Sequence, residues 1–135
     1  MKKSIAVKPM LPEDDFLILR DYLTRNKLEI DLGAYETLSE KLRTAEPVPA
    51  DLFPADGIRI GSHVTIADSL SNRRFQFVLV KPSSAKLKLG HIPFTAPLAA
   101  ALIGCRAGQR VTITLPGGEK AFYIEAVKNK VAVNV

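Results

Sequence analysis

The spacing of apolar residues changes once along the chain. Up to about residue 50 they recur at helical intervals, and from Gly57 onward they alternate with polar ones. Pro12-Glu13-Asp14-Asp15 predicts a helix start, because proline tolerates the first turn and acids suit the positive end of the helix dipole. Phe16, Leu19 and Leu23, with Leu17, Ile18 and Tyr22 beside them, give that helix a broad apolar face that fades at Arg25-Asn26-Lys27. Asp31 is placed to cap a second helix, with Leu32, Tyr35, Leu38 and Leu42 on one side and Gly33 weakening its first turn. Ala45-Glu46-Pro47-Val48-Pro49-Ala50 ends that helix, and its prolines predict a stiff connector through Pro54. Two short helices around a tight turn read as an antiparallel hairpin, preceded by a leading arm over residues 1–11.

In the alternating part, Val64–Asp68 predicts a strand and Ser69–Asn72 a turn. Arg73–Val80, rich in aromatic and branched residues, carries the strongest strand signal of the chain. Pro82-Ser83-Ser84 breaks it, and Leu87–Phe94 predicts a short edge strand because Pro93 lacks a ladder donor. Pro97 to Ile103 reads as a helix stopped by Gly104. Arg110–Leu115 and Ala121–Val127 form a hairpin through Pro116-Gly117-Gly118-Glu119, and Lys128–Val135 is one more edge strand or a loose tail. The sum is α+β: an arm and short helical hairpin over residues 1–52, then an antiparallel sheet of four or five strands packed on one short helix over 53–135.

Charge follows the same division. Residues 1–57 hold eight Lys/Arg against eleven Asp/Glu, a net −3, whereas 58–135 hold eleven against three, a net +8. A basic half suits an acidic partner, either nucleic acid or a protein surface, and equally suits a soluble domain with no such partner. At 135 residues and 47% hydrophobic composition the chain can bury a sizeable core. Its apolar runs fall short of a membrane span or a signal-peptide core, so a cytoplasmic protein without membrane attachment is expected.

Candidate chemistry is sparse. The single Cys105 excludes an internal disulfide, and its neighbour Arg106 does not by itself activate a thiol. His63 and His91 are far apart in sequence and lack metal-ligand spacing. The chain shows no nucleophile–histidine–acid signature, phosphate-cradling glycine loop or ligand cluster, so neither catalysis nor a cofactor or metal is expected.

Val64-x-Ile66-x-Asp68, the Phe75–Val80 strand, Thr95-Ala96-Pro97-Leu98-Ala99-Ala100-Ala101-Leu102-Ile103-Gly104, Gly108 and Leu115-Pro116-Gly117-Gly118-Glu119 follow one another in an informative order. Over roughly the last two-thirds of the chain, this order resembles the C-terminal domain of bacterial Gre-type transcription elongation factors. The resemblance implies an FKBP-like fold and RNA polymerase as partner, reached at the coiled coil on the rim of its secondary channel. Gre factors also insert a long coiled-coil finger whose acidic tip helps bind the magnesium ion that drives transcript cleavage. Here each predicted helix is only about 12–15 residues, or roughly 18–22 Å long. The shortened finger is more similar to Rnk, the Gre-like regulator of nucleoside diphosphate kinase.

The hairpin tip carries Lys27, Glu29 and Asp31. Glu29 and Asp31 could hold a metal, but Asp31 reads as a helix cap, Glu29 as a helix-dipole partner or a solvated charge, and Arg25 and Lys27 oppose a magnesium site. In Gre factors a Ser-Pro loop before the short helix helps dock the domain on the polymerase. The matching positions are Thr95, Ala96 and Pro97, followed by Leu98; alanine replaces the serine, as in Rnk-like sequences. The reading is therefore a polymerase-binding transcription regulator without cleavage activity. Two alternatives stand beside it. One is a peptidyl-prolyl isomerase, suggested only by the implied FKBP-like fold, although the chain has no Trp for an aromatic pocket. The other is a nucleic-acid module using Arg73, Arg74, Lys81, Lys86, Lys88, Arg106 and Arg110. Direct nucleic-acid binding is not expected, because Phe75 and Phe77 share one strand face and read as buried.

Overall fold

A computed structural model describes residues 8–115 and 117–129. The first strand, β1 (Met10–Pro12), leads directly into α1 (Glu13–Arg25), which a turn over residues 26–31 joins to α2 (Leu32–Thr44). Then come β2 (Glu46–Val48), β3 (His63–Asp68), β4 (Arg74–Val80), β5 (His91–Pro93), α3 (Pro97–Leu102), β6 (Arg110–Leu115) and β7 (Gly118–Lys128). Pro12 occupies the N-cap position of α1, just outside the helix, without a side-chain capping bond, whereas Asp31 caps α2 by accepting a hydrogen bond from the Ala34 N–H at 3.0 Å. Both helices have 13 residues, about 20 Å of helix each.

The five main strands form one sheet in the order β5-β4-β3-β7-β6. The sheet is mixed, which corrects the all-antiparallel expectation: β5 lies parallel to β4, pairing Val78 with His91 and Val80 with Pro93. The physical reason is the connection, in which short 3-10 turns at Pro82–Ser84 and Leu87–Leu89 carry the chain back before it re-enters the edge. Gly90, at φ 75°, makes the final reversal in the left-handed region that glycine enters at little cost. A second correction concerns the expected connector after α2. Residues Glu46–Val48 pair in parallel with β1, tying both ends of the helical pair together. The hairpin between β6 and β7 is tighter than expected, since Leu115 already pairs with Gly118. The expected leading arm falls partly in residues 1–7, the hairpin turn includes residue 116 and the tail reading runs through 130–135, all outside the described residues.

One core joins the helices to the sheet. Leu19, Leu23 and Leu38 are buried with Ala99, Ala100 and Leu102 of α3 and with Val64, Ile66, Phe77, Leu79 and Ile124 of the sheet. Burial of a leucine or phenylalanine side chain stabilises the fold by about 1.5–3 kcal/mol, so this shared core holds the helices on the sheet. Phe77 is buried as expected, but Phe75 is 41% exposed and meets Phe122 edge-on, with ring centroids 6.3 Å apart.

Asp68 anchors the β3–β4 turn. Its carboxylate accepts from the N–H groups of Leu70 (2.8 Å) and Ser71 (3.2 Å) and from Lys120 Nζ (3.1 Å). The two backbone bonds and the lysine hold its pKa below the ordinary 3.8. A carboxyl so lowered in the folded state contributes stability that is present above 3.8 and is lost as the pH falls through the lower folded value. Urea unfolding across the acid range should therefore show a smaller acid-dependent loss for Asp68→Asn than for the parent; identical slopes would contradict this role.

Candidate docking site

The segment Thr95–Leu98 enters α3 from β5, and its geometry is set by what precedes it. Phe94 is fully buried, its N–H donates to the Val80 carbonyl at 2.9 Å, and its ring meets Tyr22 of α1 edge-on at 5.3 Å. Ala96 donates its N–H to the Pro93 carbonyl (2.9 Å) and accepts from Ala100 (2.8 Å), so Pro97 opens the helix where a missing N–H costs nothing. Pro97 is exposed, whereas Thr95, Ala96 and Leu98 are half-buried. At the other end of α3, Gly104 has φ 88°; a Cβ there would lie 3.0 Å from that of Pro9.

Two partly buried polar contacts fasten the helical pair to the end of helix α3 and to the segment before β3. Lys41 of α2 donates from Nζ to the carbonyls of Ala101 (2.7 Å) and Ile103 (2.5 Å), with Cys105 Sγ at 3.7 Å. The ammonium thus meets carbonyls that α3 leaves unpaired at its C-terminal end, where a cation is favoured. Burial pushes the Lys41 pKa down, opposed by the neighbouring thiol. Asp15 of α1, 1% exposed, accepts from the Ile60 N–H (2.7 Å) and from Arg59 (2.8 Å). Burial nevertheless raises its pKa, because those partners only partly replace lost water.

A groove of about 900 Å³ runs between α2 and β6, with Pro97 and Ala101 on its border. It brings together two sequence-predicted positions, Asp31 and Pro97, with Glu36 and Glu40 on the α2 wall and Val111, Ile113 and Leu115 along β6. The remaining tip residues are separate from it: Lys27 lies 5.7 Å from the Tyr35 ring centroid, and Glu29 is exposed in a single 3-10 turn. Asp31 is occupied as a helix cap. Among the described residues no group of three or more His, Cys, Asp or Glu is arranged to hold a metal, and no helix is long and apolar enough to cross a membrane.

Three of the basic candidates already have partners. Arg74 pairs with Glu125 (2.7 Å) and Arg106 with Asp56 (2.9 Å), while Arg73 lies over the Phe75 ring at 6.0 Å. Sequence reasoning missed Lys41, Asp15 and Arg59. A signal was available for the first two: Asp15 stands four residues before Leu19 and Lys41 three after Leu38, placing a charge on each buried helical stripe.

Residues 54–129 match the family described as transcription elongation factor, GreA/GreB, C-terminal. The chain is 32% identical over 96 residues to transcription elongation factor GreA of Acidiphilium cryptum and 35% identical over 96 residues to that of Nitrobacter hamburgensis. Each alignment takes in 71% of this chain and 61% of the relative, so the match spans less than two thirds of these longer proteins. The fold is also similar to a solved structure, a prokaryotic transcription elongation factor GreA/GreB from Nitrosomonas europaea. The TM-score is 0.75 at 25% identity, over 91% of this chain and 99% of that one.

Proposed function

We propose that this chain, which belongs to the GreA/GreB transcription elongation factor family through residues 54–129, is an RNA polymerase-binding regulator of transcription. The family match is the observation that carries the reading. In this proposal the five-stranded sheet with α3 is the FKBP-like module, and the α1–α2 pair is a truncated antiparallel finger of the Rnk kind. Thr95, Ala96, Pro97 and Leu98 dock at the coiled coil on the rim of the polymerase secondary channel. The finger is too short, at about 20 Å, to carry Glu29 and Asp31 into a deep active centre. Asp31 is moreover engaged with the Ala34 N–H, so the protein binds without promoting transcript cleavage. The working place of such a regulator is the cytoplasm.

Immobilised protein should capture core RNA polymerase at low salt, and Pro97→Glu should weaken capture. This variant tests docking with little cost to the helix, because an acid at its first position is compatible with the dipole. Added to a backtracked elongation complex, the parent protein should leave transcript cleavage at its basal rate. Failure to capture polymerase, or marked stimulation of cleavage, would overturn the proposal.

A further inference from the structure

The sheet face turned away from the core has a charge pattern that docking through the α3 loop does not use. Cross-strand register puts Lys128, His63, Val78 and His91 in one row across β7, β3, β4 and β5. The two histidines, distant in sequence, are thus separated by one strand, about 10 Å between backbones. The row continues to Lys86, which exchanges backbone hydrogen bonds with His91 at 3.0 Å. A shallow groove of about 490 Å³ follows this row, lined also by Thr65 and Gln76 and, among the described residues, by no carboxylate.

A second row, Arg110, Tyr123, Ala67 and Arg74, crosses the same face. Tyr123 is 42% exposed, and small Ala67 stands between it and Arg74. The rows lie about 13 Å apart along β3, so a few nucleotides reach both. Between Asp68 and Glu119 the sequence contains no Asp or Glu, and Glu119, paired with Thr114, is the acid that alternates onto the Tyr123 side of β7. The carboxylate of Glu125 is engaged by Arg74, which leaves Arg110 and Lys128 within the rows and Lys86 at the end of the first as further cations.

We infer that this open face binds single-stranded RNA. The groove without carboxylates suits a phosphate backbone, and Tyr123 with the two imidazole rings offers flat surfaces for unpaired bases. A duplex hides its base faces from such a surface. Thr65 and Gln76 between the rows can hydrogen-bond a 2′-hydroxyl, which favours RNA over DNA. The inference does not rest on polymerase binding and uses a different face.

Fluorescence anisotropy with a labelled oligouridylate of about ten nucleotides tests it, without polymerase present. Binding should weaken as salt rises, and Lys128→Gln or Arg110→Gln should each flatten the logarithmic salt slope by about 0.7. Tyr123→Ala should lose about tenfold in affinity, whereas Tyr123→Phe should bind like the parent. Because the side chain is partly exposed, Tyr123→Ala should stay folded, which its urea transition reads independently of any binding. No salt-sensitive binding, equal affinity of Tyr123→Ala and parent, equal binding of the matching DNA or of double-stranded RNA, or displacement by polyglutamate as readily as by RNA would each overturn the assignment.

Discussion

Phe94→Ala is expected to destabilise the protein by about 3–5 kcal/mol. The ring is fully buried at the point where β5 hands the chain to α3, and it meets the Tyr22 ring of α1 edge-on. Its removal loses the transfer free energy of the ring and leaves a cavity, because Val80 holds the backbone of residue 94 by a 2.9 Å hydrogen bond and limits collapse. Against a total stability of about 5–15 kcal/mol this is a large fraction. Urea unfolding should show a lower midpoint with an unchanged slope, the signature of lost stability without a change in the surface exposed. Phe94→Leu should recover much of the loss, since most of the volume returns. A loss below about 1 kcal/mol for Phe94→Ala would mean that the site is not the packed junction described.

Lys41→Met is expected to cost about 2 kcal/mol, for an electrostatic reason. Methionine keeps the apolar stem but leaves the Ile103 carbonyl without its donor and the Ala101 carbonyl with only the weak Cys105 thiol at 3.6 Å. Hydrogen bonds to a charged group contribute about 1.5–3 kcal/mol, and relief from desolvating the ammonium offsets part of that. The pH dependence separates this from simple packing. Burial lowers the folded-state pKa of Lys41 below 10.5, so the unfolded chain binds more protons between the two values. The parent should therefore gain stability as pH rises through that window toward 10.5, and Lys41→Met should lack the gain. Parallel pH profiles for the two proteins would contradict the buried ammonium.

Both of these positions tie the helical pair to the sheet, and they mark where the sequence was readable and where it was not. The helices were legible because Leu19, Leu23, Leu38 and the cap Asp31 obey local spacing. The strands β3, β4, β6 and β7 were legible for the same local reason, since alternation is a property of neighbouring residues. The direction of β5 was not, because it depends on how residues 81–90 fold back and not on any pattern within His91–Pro93. The β1–β2 pair was hidden by Pro47, which reads as a connector until β1 is found beside it.

The candidate site divides in the same way. Thr95–Leu98 was readable as a motif, but its neighbourhood was not, because the groove with Asp31 arises where α2 and β6 both pack on α3. His63 and His91 look unrelated in sequence and share a row only through the register of β3, β4 and β5. Phe75 alternates with Phe77 as a core residue would, yet it sits toward the end of the sheet, next to the β3–β4 turn, and stays partly exposed.

The central claim is that this short-fingered family member occupies the polymerase without supplying cleavage. The most direct measurement is a titration of the protein into a backtracked elongation complex on which a long-fingered GreA is cleaving the transcript. Cleavage should fall toward the basal rate as the protein displaces GreA from a shared docking position, and Pro97→Glu should require a higher concentration for the same effect. Cleavage that stays constant at saturating protein, or rises, would contradict the account.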